Sequence, residues 1–302
     1  MSLVSDRLRL MGILLLLGIG WGSTQSLGKI ATSTGYQFLG LIFWQLLVGV
    51  LVLGAMLLAR RGFFVPKPAH WRFALLIALI GTLIPNSSFY IAVAQLPGGI
   101  MSILISAVPL ISFPIALALG ADRFSLVRVA GLGCGLLGVA LIALPNAALP
   151  SPAMAAWLPL ALIGPLCYAV EGNLVARFGT AGLDAVQAMF LASAVGAAIA
   201  LPLAIGSGQF INPLVPWGKA ELALVASSAL HAVLYATYVW LAAHAGAVFA
   251  TQTSYIVTGS GVLWAMLLLG ERFSGWVWAA LAAMLCGLAL VQPRHRLVAQ
   301  ET

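Results

Sequence analysis

The chain has 302 residues, of which 62% are hydrophobic and only 7% are charged. Soluble domains carry about 25% charged residues, so this composition excludes a soluble fold and any sizeable soluble domain. The net charge of +7 is spread over short loops without a basic arm, and we therefore expect no binding to nucleic acid.

Apolar runs between charged residues, prolines and loop residues predict ten transmembrane helices. The runs cover about 8–28, 38–59, 71–93, 98–119, 125–144, 154–176, 185–205, 219–242, 247–269 and 274–292. A span needs about 20 apolar residues, which these runs supply. The first run follows two arginines like a signal peptide but lacks a cleavage site, so it is predicted to remain as the first span.

The basic residues predict the orientation of the chain, because Lys and Arg collect in cytoplasmic loops. With ten spans and a cytoplasmic N-terminus, the outer side holds only Lys29, Lys219 and Arg272. The inner side holds the other eleven: Arg7, Arg9, Arg60, Arg61, Lys67, Arg72, Arg123, Arg128, Arg177, Arg294 and Arg296. This partition predicts that both termini are cytoplasmic.

Two loops of the chain repeat one another 149 residues apart. Asp122-Arg123-Phe124-Ser125 corresponds to Glu271-Arg272-Phe273-Ser274, and the register holds without a gap from about 71–141 onto 220–290. Five is an odd number of spans, so the second half is predicted to be upside down relative to the first. The prediction is an all-α polytopic membrane protein with two inverted five-helix repeats, residues 1–146 and 147–302.

Inverted repeats of this kind place a substrate site between the halves near mid-bilayer, and transport is therefore the favoured function. In the third helix Thr82, Asn86, Phe89 and Tyr90 share one face. Their equivalents in the eighth helix are His231, Tyr235, Tyr238 and Val239. Polar residues also recur on the fourth and ninth helices, where Ser102, Ser106 and Pro109 correspond to Thr251, Tyr255 and Thr258.

On the first helix Trp21 and Gln25 lie one turn apart, and Trp21 corresponds to Tyr168, which precedes Glu171 on the sixth. With Trp44 and Gln45 of the second helix, the candidate substrate-binding residues are Trp21, Gln25, Trp44, Gln45, Thr82, Asn86, Tyr90, Ser106, Tyr168, Glu171, His231, Tyr235, Tyr238, Thr251 and Tyr255. The alternative for each polar residue is a hydrogen bond between helices or to its own backbone. For Glu171 the alternative is a position near the inner mouth, reaching water or Arg177.

Charge narrows the substrate class. Lys and Arg stand almost wholly in loops, so organic phosphates are disfavoured. Apart from Glu221 in the first turn of the eighth span, Glu171 is the only acid inside a predicted span, and intramembrane acids mark candidate functional sites. A cavity with one acid, amides and aromatic rings suits a small neutral or zwitterionic molecule with an apolar or aromatic side. Amines and lipophilic cations remain an alternative, because aromatic faces attract cations.

No cofactor or metal is expected. Cys134, Cys167 and Cys286 are scattered singly and are predicted to pack as small apolar residues. No phosphate-binding Gly-x-x-x-x-Gly-Lys-Ser/Thr motif occurs. An enzyme acting on lipid is the different-class alternative, but such chemistry needs clustered carboxylates, His pairs or an activated nucleophile, and His231 is the only His deep in a predicted span.

The fifth and tenth helices carry small residues on one face: Gly131, Gly135 and Gly138, then Ala279, Ala283 and Gly287. Such faces let helices approach closely. We expect them to pack against their own repeat, with a dimer contact as the alternative, so the chain is a monomer or a homodimer.

The segments Trp21-Gly22-Ser23, Leu119-Gly120-Ala121-Asp122 and Leu269-Gly270-Glu271, with Gly131, Gly138 and Gly287, resemble the drug/metabolite transporter superfamily of the EamA exporter type. The resemblance covers essentially the whole chain and implies a bacterial inner-membrane exporter working by alternating access. Those exporters often carry Arg early in the second helix, where this chain has Trp44-Gln45. Its Trp, Tyr and amide lining most resembles the aromatic amino acid exporters.

Overall fold

The structure is a computed structural model that describes residues 3–61, 64–143, 149–245 and 252–291. All regular secondary structure in these residues is helical. In chain order the helices are α1 Leu3–Ala31, α2 Phe38–Ala59, α3 Pro68–Gln95, α4 Gly98–Ala118, α5 Leu126–Ala143, α6 Leu158–Phe178, α7 Ala185–Gly206, α8 Lys219–Ala245, α9 Thr253–Leu269 and α10 Gly275–Val291. A 3₁₀ turn, Pro152–Trp157, leads into α6.

The expected all-helical membrane architecture is confirmed. Among the described residues, eight helical segments are long and apolar enough to cross a membrane. The remaining two apolar helices, α9 and α10, have 17 residues each. The number of ten spans therefore stays a prediction.

Two prolines coincide with interruptions of the regular helices. In α3 the segment Ala78–Leu83 is a π-helical turn. Pro85 cannot donate to the carbonyl of Gly81 and its ring presses on that carbonyl, which a wider turn accommodates. In α4 the helix is broken at Ile105 and Ser106, because Pro109 likewise has no N–H for the carbonyl four residues before it. By contrast, α6 continues through Pro165.

The two halves of the chain interlock. Helix α1 packs on α8 and α9, α2 on α7 and α8, α3 on α6 and α7, α4 on α6 and α9, and α5 on α10. Exchanging the halves maps this contact pattern onto itself, since the contact of α1 with α8 corresponds to that of α6 with α3. The second half therefore packs on the first as the first packs on the second.

Equivalent helices of the two halves run in opposite directions. On α2 and α7, a Cβ at Gly196 would lie 2.9 Å from Leu46, and a Cβ at Gly54 would lie 3.3 Å from Phe190. The residue numbers thus rise along one helix as they fall along the other. The same holds for α5 and α10, where Gly131 lies beside Val291 and Gly138 beside Met284.

The glycine face of α5 meets both halves. A Cβ on Gly287 would stand 2.7 Å from the carbonyl oxygen of Gly131, and one on Gly138 would stand 2.6 Å from Met284 Cγ. Packing against their own repeat is therefore wrong for Gly131, Gly138 and Gly287, which face the other half. Gly135 does pack on Leu110 of its own half. Because α10 covers this face within one chain, these glycines are not free for a dimer contact.

Candidate substrate site

A polar cavity lies between the two halves, enclosed by α2 and α3 from the first and by α6, α7 and α8 from the second. Its volume is about 30 Å³, enough for one or two water molecules. Six predicted site residues line it: Gln45, Thr82, Asn86, Tyr168, His231 and Tyr235. An amino acid does not fit this volume, so a solute enters only when helices move apart.

Three further predicted residues do not line the cavity but contact residues that do, or contact each other next to them. Trp21 on α1 donates its Nε1 hydrogen to His231 Nδ1 at 3.3 Å and packs its ring on Tyr238, with centroids 5.5 Å apart. Tyr90, which is buried, donates its hydroxyl hydrogen to Gln45 Oε1 at 2.7 Å. These contacts orient a His and a Gln that border the cavity.

The hydrogen bond from Trp21 determines how His231 can act. Because Nδ1 is the acceptor, a neutral ring carries its hydrogen on Nε2, and that nitrogen is a donor. Gln45 uses only its amide oxygen for Tyr90. Both residues therefore keep hydrogen-bonding capacity that neighbouring side chains do not use.

The other polar groups that line the cavity are of two kinds, those with a hydrogen bond to the protein and those without one. Thr82 donates to the carbonyl oxygen of Ala78 at 2.6 Å, and Ser228 donates to that of Leu224 at 2.6 Å. Asn86, Tyr168 and Tyr235 line the cavity without a hydrogen bond to any described protein group. Unbonded polar groups inside a membrane cost free energy, so these three are the groups most ready to bind water or a solute.

Glu171 adjoins the cavity. A Cβ on Gly81, itself a lining residue, would lie 2.8 Å from Glu171 Oε1 and 2.9 Å from Oε2. The Arg177 guanidinium, which the sequence offered as a partner, donates instead to the carbonyl oxygen of Leu119 at 2.7 Å and lies over the Phe178 ring. The structure therefore places this carboxylate beside the mid-helix π turn of α3.

Several predicted site residues lie away from the cavity lining. Trp44 donates to the carbonyl oxygen of Ile211 at 3.0 Å and packs against the rings of Phe43 and Phe210. Ser106 is buried and donates to the carbonyl oxygen of Ile103. Gln25 and Tyr255 are half-buried and are not lining residues. Thr251 lies outside the described residues.

The sequence analysis missed two serines that line the cavity, Ser193 on α7 and Ser228 on α8. Ser228 stands three residues before His231 and seven before Tyr235, which is one helical face, so the spacing could have identified it. Ser193 is an isolated polar residue in an apolar run, and a Cβ on Gly49 would lie 3.4 Å from its Oγ. No pattern in the sequence points to that contact.

The halves are joined at the end of the bundle that holds the loops near residues 36, 97, 209 and 271, called the outer end here. The Glu271 carboxylate accepts hydrogen bonds from the backbone N–H of Gly98 at 2.7 Å and of Gly99 at 3.0 Å, at the start of α4. The Glu221 carboxylate accepts a hydrogen bond from the Tyr36 hydroxyl, which raises the pKa of that phenol. These carboxylates link the two halves at the outer end.

The opposite end, called the inner end, holds Arg60, Asp122 and Arg177. Arg60 and Asp184 form an ion pair across the halves at 3.3 Å, with both side chains about half-exposed, and such pairs contribute about 0–1 kcal/mol. Asp122, the equivalent of Glu271, pairs with Arg128 of its own half. Arg177 also donates across the halves to the Leu119 carbonyl oxygen. Among the described residues the outer end has more hydrogen bonds across the halves, since Leu39 and Trp44 also bond to Gln209 and Ile211 there, and the inner end is therefore the more weakly joined of the two.

A larger crevice of about 240 Å³ lies on the flank of α2 and α7 and is lined only by glycine, proline and apolar side chains, among them Leu57, Phe64 and Phe190. It offers no side-chain hydrogen bond to a solute. The smaller polar cavity is therefore the candidate substrate site.

The fold and the cavity together define a multi-pass membrane protein of the transporter class. A model of the EamA-like transporter family matches the chain twice, over residues 10–144 and 155–292, and the chain belongs to that family. A solved structure described only as a crystal structure of a protein is 22% identical and aligns over 94% of this chain and 97% of its own, with a TM-score of 0.62. It shows the same fold. No curated protein sequence matches the chain.

Proposed function

We propose that the protein exports small neutral or zwitterionic metabolites, above all amino acids with aromatic or apolar side chains, by alternating access around the central cavity. One observation carries this proposal: the cavity between the halves is bordered by Tyr168, Tyr235, His231, Asn86 and Gln45, with no Lys or Arg among its lining residues. Aromatic rings favour an apolar or aromatic side group. The amides and the imidazole supply neutral hydrogen bonds.

Alternating access is supported by the antiparallel course of equivalent helices, α2 with α7 and α5 with α10. In inverted-repeat transporters one half rocks against the other around a fixed site. The closed outer end and the contracted cavity fit a resting state in which the weaker, inner end opens first. A solute entering from the cytoplasm would then be released outside after the Glu271 contact breaks.

The proposed topology has ten spans, both termini in the cytoplasm and a bacterial inner membrane as its location. The Lys and Arg partition supports it. Cysteines introduced singly at Ala69 and Ser151, in a chain without its native cysteines, should react with an impermeant reagent from opposite sides of the membrane. Labelling from the same side would contradict the ten-span model.

Transport is tested with purified full-length protein in proteoliposomes. We expect an inside pool of unlabelled L-phenylalanine to drive counterflow of labelled L-phenylalanine above the level of protein-free liposomes. A parallel screen of other amino acids ranks the side groups. Chemical conversion of the liposome lipid without solute counterflow would favour the membrane-enzyme alternative instead.

A second candidate function is proton-coupled efflux of lipophilic amines or cations, and the position of Glu171 beside the cavity favours it. We prefer facilitative export driven by the substrate gradient, because a single intramembrane carboxylate has no second acid through which to relay a proton. An imposed pH gradient decides between them. Efflux that accelerates strongly in the wild type, but not in Glu171→Gln, would establish antiport.

A further inference from the structure

We propose that the Glu171 carboxylate is the subsite for the ammonium group of the transported solute, so that the substrates are primary amines attached to an apolar or aromatic body. The proposal rests on the exporter function above and makes it specific. It separates amino acids and aromatic amines, which would bind, from carboxylic acids of the same shape, which would not.

The Glu171 carboxylate lies where it can meet a solute in the cavity. Both oxygens of Glu171 lie against Gly81, in the π turn of α3 that borders the cavity. Tyr168, one turn before Glu171 on α6, and Tyr235 on α8 line the same cavity. An ammonium group in an enlarged cavity therefore meets a carboxylate beside two phenol rings.

Among the described residues the Glu171 carboxylate has no hydrogen-bond or ion-pair partner. Within the part of the chain that the structure describes, the ion pairs are Arg60–Asp184 and Arg128–Asp122, and no group donates a hydrogen bond to Glu171. Glu171 is half-buried, and a carboxylate that is partly withdrawn from water without a partner is unfavourable. A bound cation removes that penalty, and the ammonium group of a solute would be such a cation.

The surroundings of Glu171 suit an organic cation better than a metal ion. Phenol rings attract organic ammonium groups through their faces, whereas a divalent metal needs several oxygen or nitrogen ligands. No group of three His, Cys, Asp or Glu residues among the described residues could hold a metal. One carboxylate with aromatic neighbours matches a single positive charge on an organic body.

Gly81 acts as a positioning residue in this scheme. Because an added Cβ would come within 2.8 Å of the carboxylate, Gly81→Ala would displace Glu171 while preserving its charge. The resulting loss of amine affinity would show that the location of the carboxylate matters, not only its presence.

The experiment measures equilibrium binding of labelled phenethylamine to the purified full-length protein in nanodiscs. L-phenylalanine and phenylpropionate, which share the ring but differ in the amine, serve as competitors. We expect the wild type to bind phenethylamine, L-phenylalanine to compete and phenylpropionate not to compete. Glu171→Gln should weaken amine binding at least about tenfold, because one partner of a desolvated charge pair is removed.

Asp184→Asn is the matched control. It also removes one carboxylate charge, but Asn can still cap α7 as Asp184 does, and the exposed pair that it breaks contributes little. We expect its phenethylamine affinity to equal that of the wild type. If Glu171→Gln does not fold, Glu171→Asp keeps the charge but withdraws it by one methylene, and an intermediate affinity is expected.

The outcomes are separable. Phenylpropionate competing as well as L-phenylalanine, full amine affinity in Glu171→Gln or Glu171→Asp, or no binding of either amine to the wild type would overturn the subsite. Amine binding to the wild type without solute counterflow would overturn the exporter function and leave the subsite. Equal counterflow of L-phenylalanine and phenylpropionate would overturn the subsite and leave the exporter.

Discussion

The central cavity and the α5–α10 seam are both contacts between the same two halves, yet they are built from opposite residues. At the cavity the side chains of Tyr168, His231 and Asn86 lie between the halves. At the seam Gly131 and Gly287 have no side chains, so the backbones of α5 and α10 come into contact. Small residues let helices pack without intervening side chains. Stability between the halves and solute binding between them therefore reside in different helices.

The largest effect is expected at the seam. A side chain on Gly287 would lie 2.7 Å from the Gly131 carbonyl oxygen and 3.0 Å from the Gly135 nitrogen, and these backbone atoms cannot turn aside as a side chain can. Gly287→Leu should therefore cost more than the about 3 kcal/mol at the upper end of ordinary overpacking. A lower midpoint of thermal unfolding in detergent measures the loss.

Gly133→Leu is the control, because a Cβ at Gly133 meets nothing within 4 Å although the residue lies on α5. Its unfolding midpoint should stay near that of the wild type. Equal destabilisation by both substitutions would mean that α5 and α10 do not pack as the structure shows.

The next effect is expected in the cavity and should spare stability. Tyr168→Ala removes a ring that borders the site, and we expect counterflow of aromatic solutes to fall about tenfold, corresponding to about 1.4 kcal/mol. Aliphatic amino acids should be affected less, since they do not stack on a ring. Tyr255→Ala, at a half-buried tyrosine that does not line the cavity, should change neither rate. If Tyr255→Ala impairs transport as strongly, the site lies elsewhere.

The seam can also be probed without any substitution. Cys134 on α5 and Cys286 on α10 are the chain neighbours of Gly135 and Gly287, and a Cβ on Gly287 would lie 3.0 Å from the Gly135 nitrogen. We therefore expect the two cysteines to come within the separation that a disulfide needs. Mild oxidation in the membrane should join them within one chain. Peptide mass spectrometry detects the bond, and Cys167 should remain free for alkylation. A disulfide between two chains would instead indicate that the seam forms in a dimer.

The sequence predicts which residues share one face of a helix, but it does not predict which helix that face contacts. The spacing of Thr82, Asn86 and Tyr90 identified one side of α3 because helical periodicity is encoded locally. The helix that Gly131 contacts is not encoded locally, and the expectation that Gly131 packs within its own repeat is wrong. Trp44 was selected for its place in a family pattern, and the structure puts its indole on the carbonyl of Ile211. The π turn beside Gly81 depends on how Pro85 displaces a carbonyl in the packed bundle, which periodicity does not show.

The smallest effect tests whether the residues behind the cavity matter to transport. Tyr90→Phe removes only the hydroxyl that donates to Gln45 Oε1, and loss of such a bond costs about 0.5–1.5 kcal/mol. Since Gln45 borders the cavity and Tyr90 does not, part of this cost should appear as an about two- to fivefold fall in counterflow through a misoriented amide. Tyr36→Phe is the comparison variant, because it removes a tyrosine hydroxyl bond at the outer end without touching the cavity. We expect Tyr36→Phe to leave the relative rates for aromatic and aliphatic solutes unchanged, while Tyr90→Phe shifts them. If both variants only lower thermal stability and transport every solute at the wild-type ratio, the Tyr90–Gln45 bond is structural, and the solute-binding region is confined to the groups that border the cavity directly.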